Sequence, residues 1–171
     1  MKQKFLLLLL TTVSYANIQT ISSFEADFQQ KIVDDQNKTI LYEGHIIATK
    51  PQYALWNYTK PIIKRVYILE NEAIIVEPEL EQAIIKKINK NFDFFKLIKS
   101  AKRITKNKYL AHYNNTTFII TIDNKTISSI SYKDEFENSV TIKFSNQKEN
   151  RKIDKKEFQP NIPDDYDIIR N

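Results

Sequence analysis

Period-two alternation of apolar and polar residues recurs along this chain and restricts its fold more than any other feature. Phe24, Ala26, Phe28, Gln30 and Ile32 fall on one side of an extended strand, with Glu25, Asp27, Gln29 and Lys31 on the other. Asp34-Asp35-Gln36-Asn37 reads as a turn. Residues 40–49 then return with Ile40, Tyr42, Gly44, Ile46 and Ala48 on one face. Strands at 53–59, 63–69 and 73–76 follow, broken at Lys50-Pro51, before Pro61 and at Glu70-Asn71-Glu72. After Pro78 two readings are open. Glu79-Leu80-Glu81-Gln82-Ala83 has helical propensity behind a helix-starting proline, whereas Ala83-Ile84-Ile85 suits a strand; we favour a strand over 82–88.

One segment breaks the alternation. Over 92–101, Phe94, Leu97, Ile98 and Ala101 fit the i, i+3, i+4, i+7 stripe of a helix, widened by Phe92 and Phe95. Four more strands are expected at 109–113, 116–122, 127–133 and 140–144, with Asn114-Asn115 and Asp123-Asn124-Lys125 as compact turns. The sequence holds one glycine, Gly44. The turns must therefore be built from Asn and Asp, which tolerate positive φ better than other residues. Short turns join antiparallel neighbours. The expected class is mainly β (α+β), an unclosed antiparallel barrel or strongly curved sheet with a helical lid. The acidic pair Asp164-Asp165 is placed in an unstructured, solvated tail.

The start of the chain reads as an export signal. Lys2 and Lys4 precede an apolar run over 5–10 extended by Val13, and Ser14-Tyr15-Ala16 puts small residues at −3 and −1 of a cut after Ala16. The run is shorter than the roughly 20 residues a spanning helix needs; an uncleaved anchor is the alternative. Residues 17–171 then form one domain, long enough to bury about 70% of its unfolded surface. With no cysteine, the chain neither carries a lipid of its own nor uses the disulfides open to exported proteins.

The formal net charge is +5, but the lysines alternate with acids. A nucleic-acid binder would concentrate them in a stripe. A solvated face is the plain reading, with weak attraction to an anionic membrane surface as the lesser one. Catalytic motifs are missing. One glycine excludes G-x-S-x-G, G-x-G-x-x-G and the P-loop. The absence of cysteine removes thiol chemistry and Cys-based zinc sites. His45 and His112 have no partner at ligand spacing in a helical register. The chain is expected to be no enzyme and to need no metal or cofactor.

What stands out is the content of large apolar rings: ten Phe, nine Tyr and one Trp. They could simply fill a core. Alternatively some line a cavity for an acyl chain, whose burial is worth about 0.8 kcal/mol per CH₂. Composition leaves both readings open.

The order of short motifs is more specific. Ser23-Phe24-Glu25-Ala26-Asp27-Phe28-Gln29-Gln30-Lys31 resembles the first strand of the outer-membrane lipoprotein carrier family LolA. Glu43-Gly44, Lys50-Pro51 and Trp56 are similar to its G…(R/K)P…W segment, and Glu77-Pro78 with Glu81-Gln82-Ala83 to its P-x-x-E-Q hairpin. Phe95-Lys96-Leu97-Ile98 sits where the family has its lid helix. Phe158-Gln159-Pro160 and the run from Pro163 to Ile168 resemble its closing segment.

The resemblance implies an open barrel lidded by helices that carries lipoprotein acyl chains through the periplasm as a monomer. Cargo would come from an inner-membrane ABC transporter and pass to the outer membrane, through an acceptor if one is present. It also implies Trp56 as a cavity wall, with Phe94, Phe95, Leu97 and Ile98 of the lid opposite. From strand parity we extend the wall to Phe28, Tyr58 and Ile68. Lys50 stands where many members have an arginine that latches the lid; it could equally be an exposed residue before a proline. Lysine lacks the planar fork of a guanidinium, so the latch is expected to be looser. Only residues 17–23 separate the expected cut from Phe24, which implies a reduced first lid helix. A lipid-sensing regulatory module of the same fold is the alternative function, and a β-domain without ligand a third.

Overall fold

The computed structural model of the protein describes residues 18–88 and 94–170. The export signal over 1–16 and the expected helix start at Phe92 lie outside them. Twelve strands form one sheet: β1 Ser23–Val33, β2 Thr39–Thr49, β3 Tyr53–Lys60, β4 Lys64–Ile68, β5 Glu72–Glu77, β6 Gln82–Lys87, β7 Lys102–Arg103, β8 Lys108–Tyr113, β9 Thr116–Asp123, β10 Thr126–Lys133, β11 Ser139–Glu149 and β12 Asp167–Arg170. Helix α1 spans Phe94–Ser100. The strand order is β12-β6-β5-β4-β3-β2-β1-β11-β10-β9-β8-β7. The two end strands do not pair, so the sheet stays open.

Alternation decides which side of the sheet each residue faces. Phe24, Ala26 and Phe28 of β1, Ile46 and Ala48 of β2, and Phe144, Ile142 and Val140 of β11 face inward. There they form one cluster with Ile120, Ile127 and Ile130. Leu97, Ile98 and Ala101, in and just after α1, join that cluster, as do Ile18 and Ile21 around a short 3₁₀ turn at Ile18–Thr20. This turn is what the structure describes of the region before β1.

The outer face is covered differently. Residues from Ile153 to Tyr166 cross it. Phe158 packs with Ile47, Tyr53, Leu55 and Leu69, and Ile162 and Tyr166 pack on the cluster of Tyr67, Ile74, Val76 and Ala83. The chain then adds β12 to the sheet, parallel to β6 with Asp167 opposite Gln82.

This corrects two expectations. Asp164 and Asp165 do not lie in an unstructured tail: they sit in a turn closed by the Tyr166 N–H donating to the Pro163 carbonyl, which leads into β12. Nor is the sheet purely antiparallel. The alternation in Asp167–Arg170 is too short to announce a strand, and its pairing depends on apolar anchors earlier in the segment. The two-residue β7 was likewise not expected, and β11 runs five residues beyond 144, to Glu149. After Pro78 both readings hold in part, with a 3₁₀ turn at Pro78–Leu80 followed by β6.

Asn does supply most of the positive-φ positions: Asn37, Asn114, Asn124, Asn146 and Asn150, with Glu81, Lys125 and Glu137 beside them. Asp34 and Asp134 each accept backbone N–H groups two and four residues on, at 2.8–2.9 Å, and so close their hairpins.

Candidate functional site

The inward residues of β2–β4 and the start of α1 do not meet completely, and a cleft of about 70 Å³ remains between them. Its walls are Ile46, Ala48, Ala54, Trp56 and Ile68 from the sheet and Phe94 and Phe95 from the helix, with Gln52 and Tyr53 at one end. Strand register explains the wall. Ile46 pairs with Trp56, Trp56 with Val66, Val66 with Ile75 and Ile75 with Ile84, so one apolar row crosses five strands. Val66, Ile75 and Ile84 are only half-buried, and they carry the apolar surface from the cleft toward the sheet edge.

The residues singled out from sequence occupy three positions. Trp56, Ile68, Phe94 and Phe95 border the cleft. Phe28 and Tyr58 stand beside it: the Phe28 ring meets Trp56 and Tyr58 edge-on, each at 5.0 Å between centroids. Leu97 and Ile98 are buried in the core beneath α1 and anchor the helix. Ile46 and Ala48 were not among the expected wall residues, although the parity of β2 already placed them on the same side as Gly44.

Helix α1 is held partly by its rings. Phe94 lies 5.5 Å from Phe95 and 6.3 Å from Phe24. Lys50, exposed between β2 and β3, places its Nζ 5.9 Å from the centre of the Phe95 ring, and its backbone N–H donates to the Ser22 carbonyl at 3.0 Å. Its contact with the lid is thus a cation over a ring.

Polar atoms beside the cleft are neutral and satisfied. The Tyr58 hydroxyl donates to Gln30 Oε1 at 3.0 Å, and burial pushes its pKa well above the usual phenol range. Burial also raises that of Tyr132. These rings stay uncharged at any physiological pH. Among the described residues no group of three or more His, Cys, Asp or Glu is placed to hold a metal ion.

One polar cluster escaped the sequence reading, on the outer face. His45 lies directly across from Asp27 in the β1–β2 ladder, with Nδ1 2.7 Å from Asp27 Oδ1. Asn146 donates to the other Asp27 oxygen at 2.7 Å. Buried Glu25 pairs with Lys148 at 3.2 Å and with Arg151. Spacing along the chain could not reveal this, because the partners meet by strand register. The Asn146 and His45 hydrogen bonds hold the Asp27 carboxyl below its usual pKa.

What this arrangement can do is shelter an apolar chain; its walls offer few polar groups to a reaction. Residues 19–161 match the family described as outer membrane lipoprotein carrier protein LolA. An outer-membrane lipoprotein carrier protein of Campylobacter jejuni subsp. jejuni is 42% identical over 149 residues, covering 87% of each chain. One from Helicobacter pylori is 34% identical over 154 residues, covering 90% of this chain and 83% of that one. In fold, the crystal structure of a LolA superfamily protein from Nitrosomonas europaea superposes with a TM-score of 0.52 at 8% identity, covering 82% and 91% of the two chains. The chain belongs to the outer membrane lipoprotein carrier protein LolA family.

Proposed function

We propose that this protein is a periplasmic lipoprotein-carrier chaperone that shields the acyl chains of its cargo in the cleft between β2–β4 and α1. The observation that carries this reading is the apolar cleft itself, walled by Trp56, Ile68, Phe94 and Phe95, in a chain whose relatives are named lipoprotein carriers. Those names favour the carrier over a lipid-sensing module. Each CH₂ withdrawn from water contributes about 0.8 kcal/mol, while the partly open wall over Val66, Ile75 and Ile84 leaves a path for release.

In this reading residues 17–171 act as an exported monomer after cleavage behind Ala16. An inner-membrane ABC transporter supplies the cargo, which passes to the outer membrane or to an acceptor there. Phe28 and Tyr58 back the wall, Leu97 and Ile98 anchor the lid, and Lys50 latches it. The test is a release assay with spheroplasts holding a newly made lipoprotein. The lipoprotein should enter the soluble fraction as a one-to-one complex with the carrier, and Trp56→Glu should abolish this, because an unpaired charge against acyl chains is costly. Full cargo binding by folded Trp56→Glu protein would refute the cleft as the site.

A further inference from the structure

Five hairpin turns, those of β1–β2, β3–β4, β5–β6, β8–β9 and β10–β11, lie at one end of the half-barrel, here called the turn rim. Six of the ten large apolar residues that stand exposed among the described residues gather on it: Ile40, Leu41, Ile62, Ile63, Leu80 and Phe136. They fall into two kinds by surrounding charge. Leu80 lies between Glu79 and Glu81, and Phe136 among Asp134, Glu135 and Glu137. The other four stand on adjacent hairpins in basic surroundings, Ile40 and Leu41 on the two faces of the end of β2. The ladder of β2 with β3 begins at the Glu43–Lys60 pair, so Ile40 and Leu41 project past it on the β2 side. Ile62 and Ile63 form the turn into β4 on the other. Leu41 and Ile63 are each 50% exposed.

Lys31, Lys38, Lys60, Lys64 and Arg65 flank these four, against Asp34, Asp35 and Glu43. Asp34 is engaged by the N–H groups of its own turn, and Glu43 by Lys60 at 3.0 Å. Lys64 extends over the Tyr58 ring at 4.5 Å and the Tyr42 ring at 5.3 Å. Behind them an edge-on series of rings, Tyr42, Tyr58, Phe28 and Trp56, leads inward to the cleft at spacings of 5.7, 5.0 and 5.0 Å.

We propose that the turn rim at Ile40, Leu41, Ile62 and Ile63 docks this protein directly on an anionic phospholipid bilayer, the isoleucine and leucine tips entering the interface and the surrounding cations meeting lipid phosphates. Ile62 and Ile63 in a hairpin turn, and Ile40 and Leu41 on the exposed end of the neighbouring strand, together with the surrounding lysines, combine the two forces that hold a peripheral protein on such a surface. The acidic flanking turns favour no such contact, so only the centre of the rim engages. Docking there points the Tyr42 end of the aromatic series toward the membrane, with the cleft at the other end of that series. The inference goes beyond the carrier reading and is tested without cargo, so either can fail alone.

The experiment is co-sedimentation of the cargo-free protein with vesicles of phosphatidylethanolamine and phosphatidylglycerol, and with vesicles of phosphatidylcholine alone. The expected result is binding to the anionic vesicles that weakens with added salt, and little to the neutral ones. The double variant Ile62→Ser/Ile63→Ser, altered at an exposed turn, should fold normally and bind about tenfold or more weakly. Phe136→Ser, at an acidic turn of the same rim, should bind like the parent. Absence of binding to anionic vesicles, equal binding to neutral ones, indifference to the Ile62/Ile63 change, or an equal loss with Phe136→Ser each overturns the proposal. So does a concentration-dependent dimer that the double variant abolishes without vesicle binding, which would assign the patch to a second copy of the chain.

Discussion

The ring of Phe28 lies flat enough against Gly44, its partner across the β1–β2 ladder, that a Cβ on Gly44 would stand 2.8 Å from Phe28 Cε1. It would come closer still to the Asn57 carbonyl. The only glycine of the chain thus answers a close approach beside the cleft rather than a positive φ. Gly44→Ala is expected to lower stability by about 1–3 kcal/mol or more, read by urea unfolding. Trimming the ring as well, in Gly44→Ala/Phe28→Leu, should restore only part of the loss, because the Asn57 backbone cannot yield as a side chain does. Full restoration would place the conflict on Phe28 alone.

The strap across the outer face depends on one ring. Phe158 is 2% exposed, lies 5.7 Å from Tyr53 and packs with Ile47 and Ile153. Phe158→Ala should cost about 3–5 kcal/mol, measured by thermal unfolding. Amide exchange should speed first around 150–166 and in β12, which this anchor places on the sheet edge. Uniform exchange throughout the chain would contradict a locally anchored strap.

How far the sequence could be read follows from what each signal encodes. Alternation states which residues share a face, and it placed Phe24, Ala26 and Phe28 on the side where the structure buries them. It does not state what covers that face. Trp56 and Ile68 look into a cleft, and Leu97 and Ile98 into a packed core, because the angle at which α1 crosses the sheet is set by contacts distant in sequence. Asp27 and His45 lie 18 residues apart and meet only through register. Residues 150–166 have too little periodicity to signal a strap; Ile153, Phe158 and Ile162 act as separate anchors. The lid helix was legible because its stripe is local, and the Asn-built turns because glycine was missing.

The position of Lys50 over Phe95 predicts how the lid responds to substitution. A cation at a ring contributes about 0.5–1 kcal/mol at an exposed site, which is roughly two- to fivefold in an opening equilibrium. A guanidinium stacks and hydrogen-bonds better than an ammonium. Lys50→Ala should therefore speed cargo hand-off by about that factor, and Lys50→Arg should slow it, as followed by transfer of a labelled lipoprotein to outer-membrane vesicles. An unchanged or faster rate for Lys50→Arg would count against a latch.

Glu149 gives a pH-dependent prediction. It pairs with Phe24 at the end of β11, and its Oε1 accepts the Ile127 N–H at 3.3 Å. Burial raises its carboxyl pKa, and the Ile127 hydrogen bond opposes this in part. The folded chain therefore holds this proton more tightly than the unfolded chain. The group favours folding fully below the unfolded carboxyl pKa, and that contribution is lost as pH rises through the folded one. Glu149→Gln keeps an acceptor for Ile127 and removes the charge. Near neutral pH it should raise Tm by a few degrees, and the advantage should vanish below the carboxylate range. Calorimetry at the two pH values decides: an equal shift at both, or a lower Tm near neutrality, would mean that the ionised carboxylate does not oppose folding here.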